Sequence, residues 1–318
     1  MDFKLLEYII AIADCGNVTK AAEQLFISQS GLNQQLIKTE KALGTPLFYR
    51  TKKEMRPTLA GTIYISTARR ILKMAQNCIT QIQDLSDSPC GTISYGLPFE
   101  HGVDLFLDIS EEFSKRFPNV SISLMEQTVK QMKEKVENDQ LDMAFIMTNE
   151  KPSAHIFDSV FLCTEKLVLG IPARHPLAQY AAFPGKPLNT MQLSQLKGEK
   201  FAFMFSGSTM RNVIDPLFED AGFVPDIRYE TLMNNALFRL VDKGLCCTIM
   251  PQSYARKSKS SAWFYLEQDP HWEWYIIFSK TRVLSSADKY LIELSRMYGQ
   301  KLHNYWIEHN IGIPSSDT

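Results

Sequence analysis

The stretch from Lys4 to Gly44 constrains the fold more than any other part of the chain. Leu5, Leu6, Ile9, Ile12 and Ala13 recur at helical spacing, so Lys4 to Asp14 reads as an amphipathic helix closed by Gly16. Asn17 can cap a second helix, Val18 to Leu25, whose Ala21 and Ala22 permit close helix approach. That helix is too short to stand without tertiary support. After a turn at Phe26-Ile27, Ser28 is a good cap for a third helix ending at Leu43, with Gly44 placed to stop it in the left-handed conformation. Leu32, Leu36 and Leu43 are expected to point inward, which leaves Gln29, Ser30, Asn33 and Gln34 on the outer face. Two short helices around a tight turn form a helix-turn-helix, and such a face enters a major groove. Gln and Asn can pair bidentately with adenine, at about 1–3 kcal/mol of discrimination per contact, while Ser can reach a base or a phosphate. A polar helix face is by itself equally well a solvated one; the neighbouring sequence decides.

Charge supplies part of that decision. The whole chain is near neutral at −1, but residues 38–73 hold nine basic side chains against only Glu40 and Glu54. Such a local excess suits a polyanion. Pro46 to Arg50 reads as a strand, 51–54 as a charged turn and Met55 to Pro57 as the return, a small basic wing. From it Arg50, Lys52, Lys53 and Arg56 can hold phosphates and fix register without reading sequence. Thr58 can cap a long helix from about Leu59 to Ser86. Ile65, Ala68, Leu72, Ala75, Ile79 and Ile82 are spaced along it by alternating threes and fours, a two-stranded coiled-coil seam, so dimerisation is expected. The competing reading is a long helix packed on its own chain.

The strings 16–22 (GNVTKAA), 25–30 (LFISQS), 43–51 (LGTPLFYRT) and 57–61 (PTLAG) together resemble the DNA-binding signature of the LysR-type transcription regulators. The resemblance implies contacts with double-stranded DNA from Thr19, Ser28, Gln29, Ser30, Asn33, Gln34, Arg50, Thr51, Lys52, Lys53 and Arg56. Two departures stand out: Ser30-Gly31 replaces the usual Pro-Ala, and Gln34 stands where Arg is frequent. Gly31 within a helix costs roughly 1 kcal/mol relative to Ala. Operator preference is therefore expected to differ from the family norm.

Beyond Cys90 the pattern changes to strands at Gly91 to Leu97, Val120 to Glu126 and Leu141 to Thr148, with helices at Val103 to Phe117 and Val129 to Asn138. Alternation of this kind argues for a parallel sheet. Residues 161–178 and 244–251 resemble the lobe crossing and the closing strand of LysR effector domains. The expected architecture is α/β: an N-terminal winged helix-turn-helix (1–58), a linker and dimerisation helix (59–89), and a C-terminal two-lobed domain (90–310) resembling type 2 periplasmic binding proteins. Lobe I would hold 90–163 and 269–305, lobe II 164–268, and 311–318 would be a tail. Ligands of open α/β sheets bind outside the carboxyl ends of strands. That nominates Pro98, Phe99, Glu100, Gln127, Thr128, Thr148, Phe205, Ser206, Gly207, Ser208, Thr209 and Thr231 for a small-molecule effector. Hydroxyls and free amides at the helix start after Phe205 suit a carboxylate or other anion. Glu100 and His101 fit an anion site less well; they read as a solvated loop, or else as favouring an amine.

No metal, cofactor or catalytic group is nominated. The six histidines lack the spacing of a helix-borne metal site, and GxSxG, P-loop and GxGxxG patterns are missing. Cys246-Cys247 lies in an apolar strand, where thiols are ordinarily inert. No apolar run reaches the roughly 18 residues of a membrane helix, and six cysteines without a CxxC pair fit a reduced bacterial cytoplasm. The expected function is regulation of transcription by a homo-oligomer, a dimer or a tetramer of two dimers, on an inverted-repeat operator. The competing classes are a cytosolic small-molecule-binding protein without a DNA role, and an enzyme on the same two-lobed fold.

Overall fold

The computed structural model describes residues 2–50, 54–84, 89–183 and 186–314. The chain divides into two compact units, the first over roughly the N-terminal 87 residues. In that unit α1 (Phe3–Cys15), α2 (Val18–Gln24) and α3 (Gln29–Leu43) start at the side-chain caps Asp2, Asn17 and Ser28. Gly16 and Gly44 end α1 and α3 at φ 59° and 73°, a region where a side chain is strained. Leu6, Ile9, Ile12, Ala21, Ala22, Leu32 and Leu36 close the core between them. Leu43 does not join it: as the last residue of α3 it is half exposed, and Thr39 takes the inward place, its hydroxyl donating to Gln35 O.

Strands β1 (Phe48–Arg50) and β2 (Met55–Pro57) pair antiparallel, Tyr49 opposite Arg56. Thr58 then caps α4 (Leu59–Asp84) by accepting from Gly61 N at 3.0 Å. Gly61 is required there, because a Cβ would lie 1.9 Å from Leu47 O. The seam expected along α4 is corrected at its start. Ile65 and Ala68 are buried within their own chain, Ile65 in the helix-turn-helix core, so these two positions are not free to face a second copy. Leu72 and Ala75 are partly exposed, and Ile79 and Ile82 are exposed. The first turns of a helix that leaves a small domain serve that domain's core before they can serve anything else.

The second unit opens with β3 (Gly91–Leu97), α5 (His101–Arg116), β4 (Val120–Glu126), α6 (Val129–Glu137) and β5 (Met143–Thr148). There follow β6 (Phe157–Pro172), β7 (Thr190–Met191), β8 (Lys200–Met204), α7 (Thr209–Asp220), β9 (Asp226–Thr231) and α8 (Asn234–Asp242). The chain closes with β10 (Thr248–Pro251), β11 (Ser261–Leu266), β12 (His271–Ser279) and α9 (Ser286–His309). Strand β3 runs parallel to β4 and β5, as alternating elements require. The larger sheet is mixed, because β12 returns antiparallel between β5 and β6.

Strand β6 serves two neighbourhoods. Up to Lys166 it pairs with β12, and from Leu167 onward with β10 and β11. The change of partners divides the unit into two lobes joined through one continuous strand. Strand β8 pairs parallel with β9 in the second lobe, with Met204 opposite Thr231. Helix α9 is started by a capping box of Ser285 and Asp288, and Asp288 also receives Arg282 at 2.8 Å. The tail expected from residue 311 begins later: Ile311 is buried, Gly312 N donates to Gln252 O at 2.7 Å, and Gly312 O accepts from Trp306 Nε1.

Candidate functional site

In the first unit the outward face of α3 carries Gln29, Ser30 and Gln34 exposed, with Asn33 half-buried beside them. Thr19 is exposed at the start of α2. Ser28 is occupied locally, its Oγ accepting from Gly31 N at 3.1 Å, so its first role is to start the helix. Phe26, in the turn between α2 and α3, adopts φ 55° and is 95% exposed.

The wing arginines are not loose charges. Arg50 Nη2 lies 3.0 Å from Glu40 Oε2 and Nη1 reaches Asn33 Oδ1 at 3.4 Å. The other Glu40 oxygen accepts from Leu47 N at 2.8 Å and Phe48 N at 3.3 Å. One carboxylate thus pins the entry to β1 and aims Arg50 along α3. Arg56 pairs with Glu54 at 2.7 Å, an exposed pair without the backbone anchors that Glu40 has. Both acidic residues of the basic segment therefore pair with an arginine, a role that charge counting alone does not reveal. Their isolation among nine bases was the available signal. Thr51, Lys52 and Lys53 lie outside the described residues.

In the second unit a cleft of about 900 Å³ opens between the lobes. Pro98, Phe99, Gln127, Thr128, Thr148, Phe205, Gly207, Ser208 and Thr209 line it, as the strand-end rule anticipates. Helix α6 begins at its edge, where Thr128 and Gln131 cap each other. Helix α7 begins in it, with Gly207 at φ 84° and Ser208 capping by accepting from Arg211 N. Burial pulls the Lys133 ammonium on α6 below its ordinary value, an effect opposed by nearby Glu150. Thr148 is less available than expected, since its hydroxyl is shared with Glu150 backbone groups at 3.0 and 3.2 Å.

Three expected contacts are placed elsewhere. Ser206 and Thr231 do not line the cleft; Ser206 is exposed, and Thr231 Oγ1 accepts from Met233 N at 3.1 Å. Glu100 is also absent from the lining, and the solvated loop expected for Glu100 and His101 is overturned. The Glu100 carboxylate crosses to the second lobe and accepts from Asn234 N, from Asn235 N at 3.2 Å and from Asn235 Nδ2 at 2.8 Å. Met233 gives α8 no side-chain cap, so first-turn amides that would otherwise be orphaned find an anion from across the cleft. Glu100 holds φ at 62° to reach them, a conformation costing a non-glycine residue about 1–3 kcal/mol.

His101 is only 2% exposed. Its ring packs edge-on to Tyr254, Trp274 and Trp272, with centroids 4.6, 5.4 and 5.7 Å away, and its Nε2 lies 3.3 Å from Glu165 Oε2. Glu165 sits on β6 where the strand changes partners, and accepts from Ser253 N and Oγ, Trp272 Nε1 at 2.8 Å and Trp274 Nε1 at 2.9 Å. Full burial would raise its pKa, but His101 and the Ser253 and Trp272 donors outweigh burial and hold the carboxyl below its ordinary value. This buried cluster joins α5, β6, β12 and the loop after β10. Among the described residues no group of three His, Cys, Asp or Glu could hold a metal ion. Burial pushes the Cys246 and Cys247 thiols up to about 11 and about 12, which leaves little thiolate for redox chemistry.

Two family models match the chain: the bacterial regulatory helix-turn-helix protein, lysR family, over residues 3–62, and the LysR substrate binding domain over residues 86–299. The chain belongs to the LysR family of transcription regulators. The uncharacterized HTH-type transcriptional regulator YcgK of Bacillus subtilis (strain 168) is 28% identical over 311 residues, 93% of this chain and 94% of the relative. The HTH-type transcriptional regulator XapR of Escherichia coli (strain K12) is 26% identical over 297 residues, 93% and 98% of the two chains. A full-length OxyR variant from Pseudomonas aeruginosa shares the fold at TM-score 0.73 and 19% identity, over 93% of this chain and 95% of that one. Full-length CbnR complexed with its target DNA does so at TM-score 0.59 and 23% identity, over 93% and 99%. In this LysR-family regulator the helix-turn-helix is the DNA-binding domain and the two-lobed unit is the effector-binding domain. Among the described residues no helix is long and apolar enough to cross a membrane.

Proposed function

We propose that this LysR-family regulator reads an inverted-repeat operator with α3, two copies being paired through the outer part of α4, and that a small molecule in the lobe cleft sets its activity. Gln29, Ser30 and Gln34 read base edges, while Thr19, Arg50 and Arg56, with Thr51, Lys52 and Lys53, hold phosphates. The observation that carries this reading is the Glu40 brace. A half-exposed arginine beside an open polar helix face, held to it by Glu40 and Asn33, is preorganised for a phosphate backbone next to that face. Leu72, Ala75, Ile79 and Ile82 supply the contact between copies, and two such dimers make a tetramer. The functional division is 1–58 for DNA, 59–89 for pairing and 90–312 for the effector. The protein acts in the bacterial cytoplasm, where its operator is, and its role is regulation without turnover.

The cleft reading rests on the start of α7. Ser208, Thr209 and Met210, at the start of α7, line a cavity large enough for a small organic molecule, and a helix N-terminus favours an anion. Binding there shifts the equilibrium between lobe geometries only to the extent that it favours one of them. The test is DNA affinity measured on specific and random duplexes across a salt series. Gln29→Ala narrows the gap between specific and random DNA by about 1–3 kcal/mol. Arg50→Ala weakens both duplexes together and flattens the salt slope by about one counterion. Equal behaviour of the two variants would remove the assignment of reading to α3 and of holding to the wing.

A further inference from the structure

The two lobes are tied together by a carboxylate of the chain itself. Glu100, at the start of α5 in the first lobe, accepts from three groups at the start of α8 in the second: Asn234 N, Asn235 N at 3.2 Å and Asn235 Nδ2 at 2.8 Å. Asn235 is held in place from its other side. Its Oδ1 accepts from Arg256 Nη2 at 2.9 Å, and the Arg256 guanidinium lies over the Phe238 ring, 5.7 Å from the centroid. Two backbone amides, a side-chain amide and a helix N-terminus together make a place for a carboxylate. Here a side chain fills it.

The tie has a cost built into it. Glu100 stands at the N-cap position of α5 but makes no side-chain bond to that helix. Its φ of 62° lies in the region that favours glycine. The residue thus leaves its own helix uncapped and keeps a strained backbone to reach a partner 134 positions away. Separation of the lobes would relax that backbone, so strain offsets part of what the three bonds contribute. A balance of this kind can be tipped by a ligand that favours one arrangement. The tie also closes beside the cleft, since His101 and Asn234, which flank it on the two lobes, line the cavity.

We propose that Glu100 is an internal latch: without effector, the protein's own carboxylate fills the anion place at the start of α8 and holds the lobes together, and releasing it changes how the head binds DNA. The proposal rests on the reading that lobe geometry sets activity, and adds the contact through which that geometry is held.

The test uses the full-length protein without effector. Glu100→Gly suits the φ of 62° and removes a side chain whose missing part is propionate. DNA affinity on the sequence upstream of its own gene is expected to shift by about fivefold or more relative to wild type, the ordinary range of coupling between sites. Millimolar propionate should return it to the wild-type value, while neutral propionamide should not, and wild type should respond to neither. Glu100→Gln, which keeps the side chain and loses its charge, should shift affinity in the same direction, and it serves should Glu100→Gly fail to fold. Hydrogen exchange separates the ways of failing. Faster exchange confined to Asn234 and Asn235, with DNA affinity unchanged, overturns the latch and leaves a local tie. Faster exchange spreading to 127–129 and 205–209, again with DNA affinity unchanged, overturns the latch together with the reading that lobe geometry sets activity. A shift in affinity that propionate does not reverse, or that propionamide reverses equally, overturns the carboxylate as the latching group.

Discussion

Replacing Glu165 by glutamine changes one atom and tests the buried cluster at the lobe junction. One Glu165 oxygen accepts from Ser253 N and Oγ; the other accepts from two indole N–H groups and faces His101. A glutamine amide has a single oxygen, so whichever way it turns its NH2 opposes donors on one side. Either the two indoles or the Ser253 N–H lose their acceptor, each at about 1–3 kcal/mol. Removal of one partner from a fully buried charged cluster falls in the range of about 3–5 kcal/mol. For a domain of this size each kcal/mol moves the midpoint by about 2–4 °C, so Tm should fall by about 6–20 °C. Thermal unfolding followed by tryptophan fluorescence reads this directly, since Trp272 and Trp274 are the reporting donors. The sign of the pH dependence is also determined. The Glu165 carboxyl is held below its ordinary value of 4.5, so its stabilisation is complete above that pH and is lost as pH falls through the lower folded value. The difference between wild type and Glu165→Gln should therefore narrow on acidification. A Tm within 2 °C of wild type at neutral pH, with 2 °C roughly the shift for one weak hydrogen bond, would refute the reasoning.

Glu100→Gln keeps the φ 62° backbone and weakens only the anchor on α8, so domain stability should fall by about 1–3 kcal/mol. Hydrogen exchange at the Asn234 and Asn235 amides should quicken, and unchanged exchange there would deny the clasp. Glu40→Ala removes a negative charge beside Arg50, the arginine proposed to hold a phosphate, which simple electrostatics predicts to strengthen DNA binding. Loss of the Leu47 and Phe48 anchors predicts the reverse, about 1–3 kcal/mol of head stability and weaker binding in a gel-shift titration. With their pKa values raised to about 11 and about 12, Cys246 and Cys247 stay neutral thiols near neutral pH. Exposed Cys90 should be alkylated by iodoacetamide well before them in native protein, as peptide mass mapping would show.

Elements with strong local signals were legible in the sequence. The caps Asn17 and Ser28 and the stops Gly16 and Gly44 each act through their own or adjacent backbone, so periodicity and cap chemistry placed α1 to α3 within a residue or two. Strands β3 and β4 were equally clear. What a residue does across distance was not legible. Ile65 and Ala68 have coiled-coil spacing, but that spacing is also what a helix shows to its own domain, and only the packing of the head decides between them. Glu100 looked solvated because its partners, Asn234 and Asn235, are more than 130 residues away. Glu165 stands beside Thr164 and Lys166 in the strand, so nothing local marked it as buried, and its partners come from three separate segments. Nine of the twelve proposed cleft residues line the cavity because the strand-end rule is topological and needs no partner to be known.

The most direct measurement is a footprint of the full-length protein on the DNA upstream of its own gene, taken at several salt concentrations. Two protected half-sites, related by a dyad and spaced about one helical turn, are predicted, with protection that Gln29→Ala makes indiscriminate. Uniform weak protection of any DNA, unaffected by Gln29→Ala, would contradict sequence reading by α3.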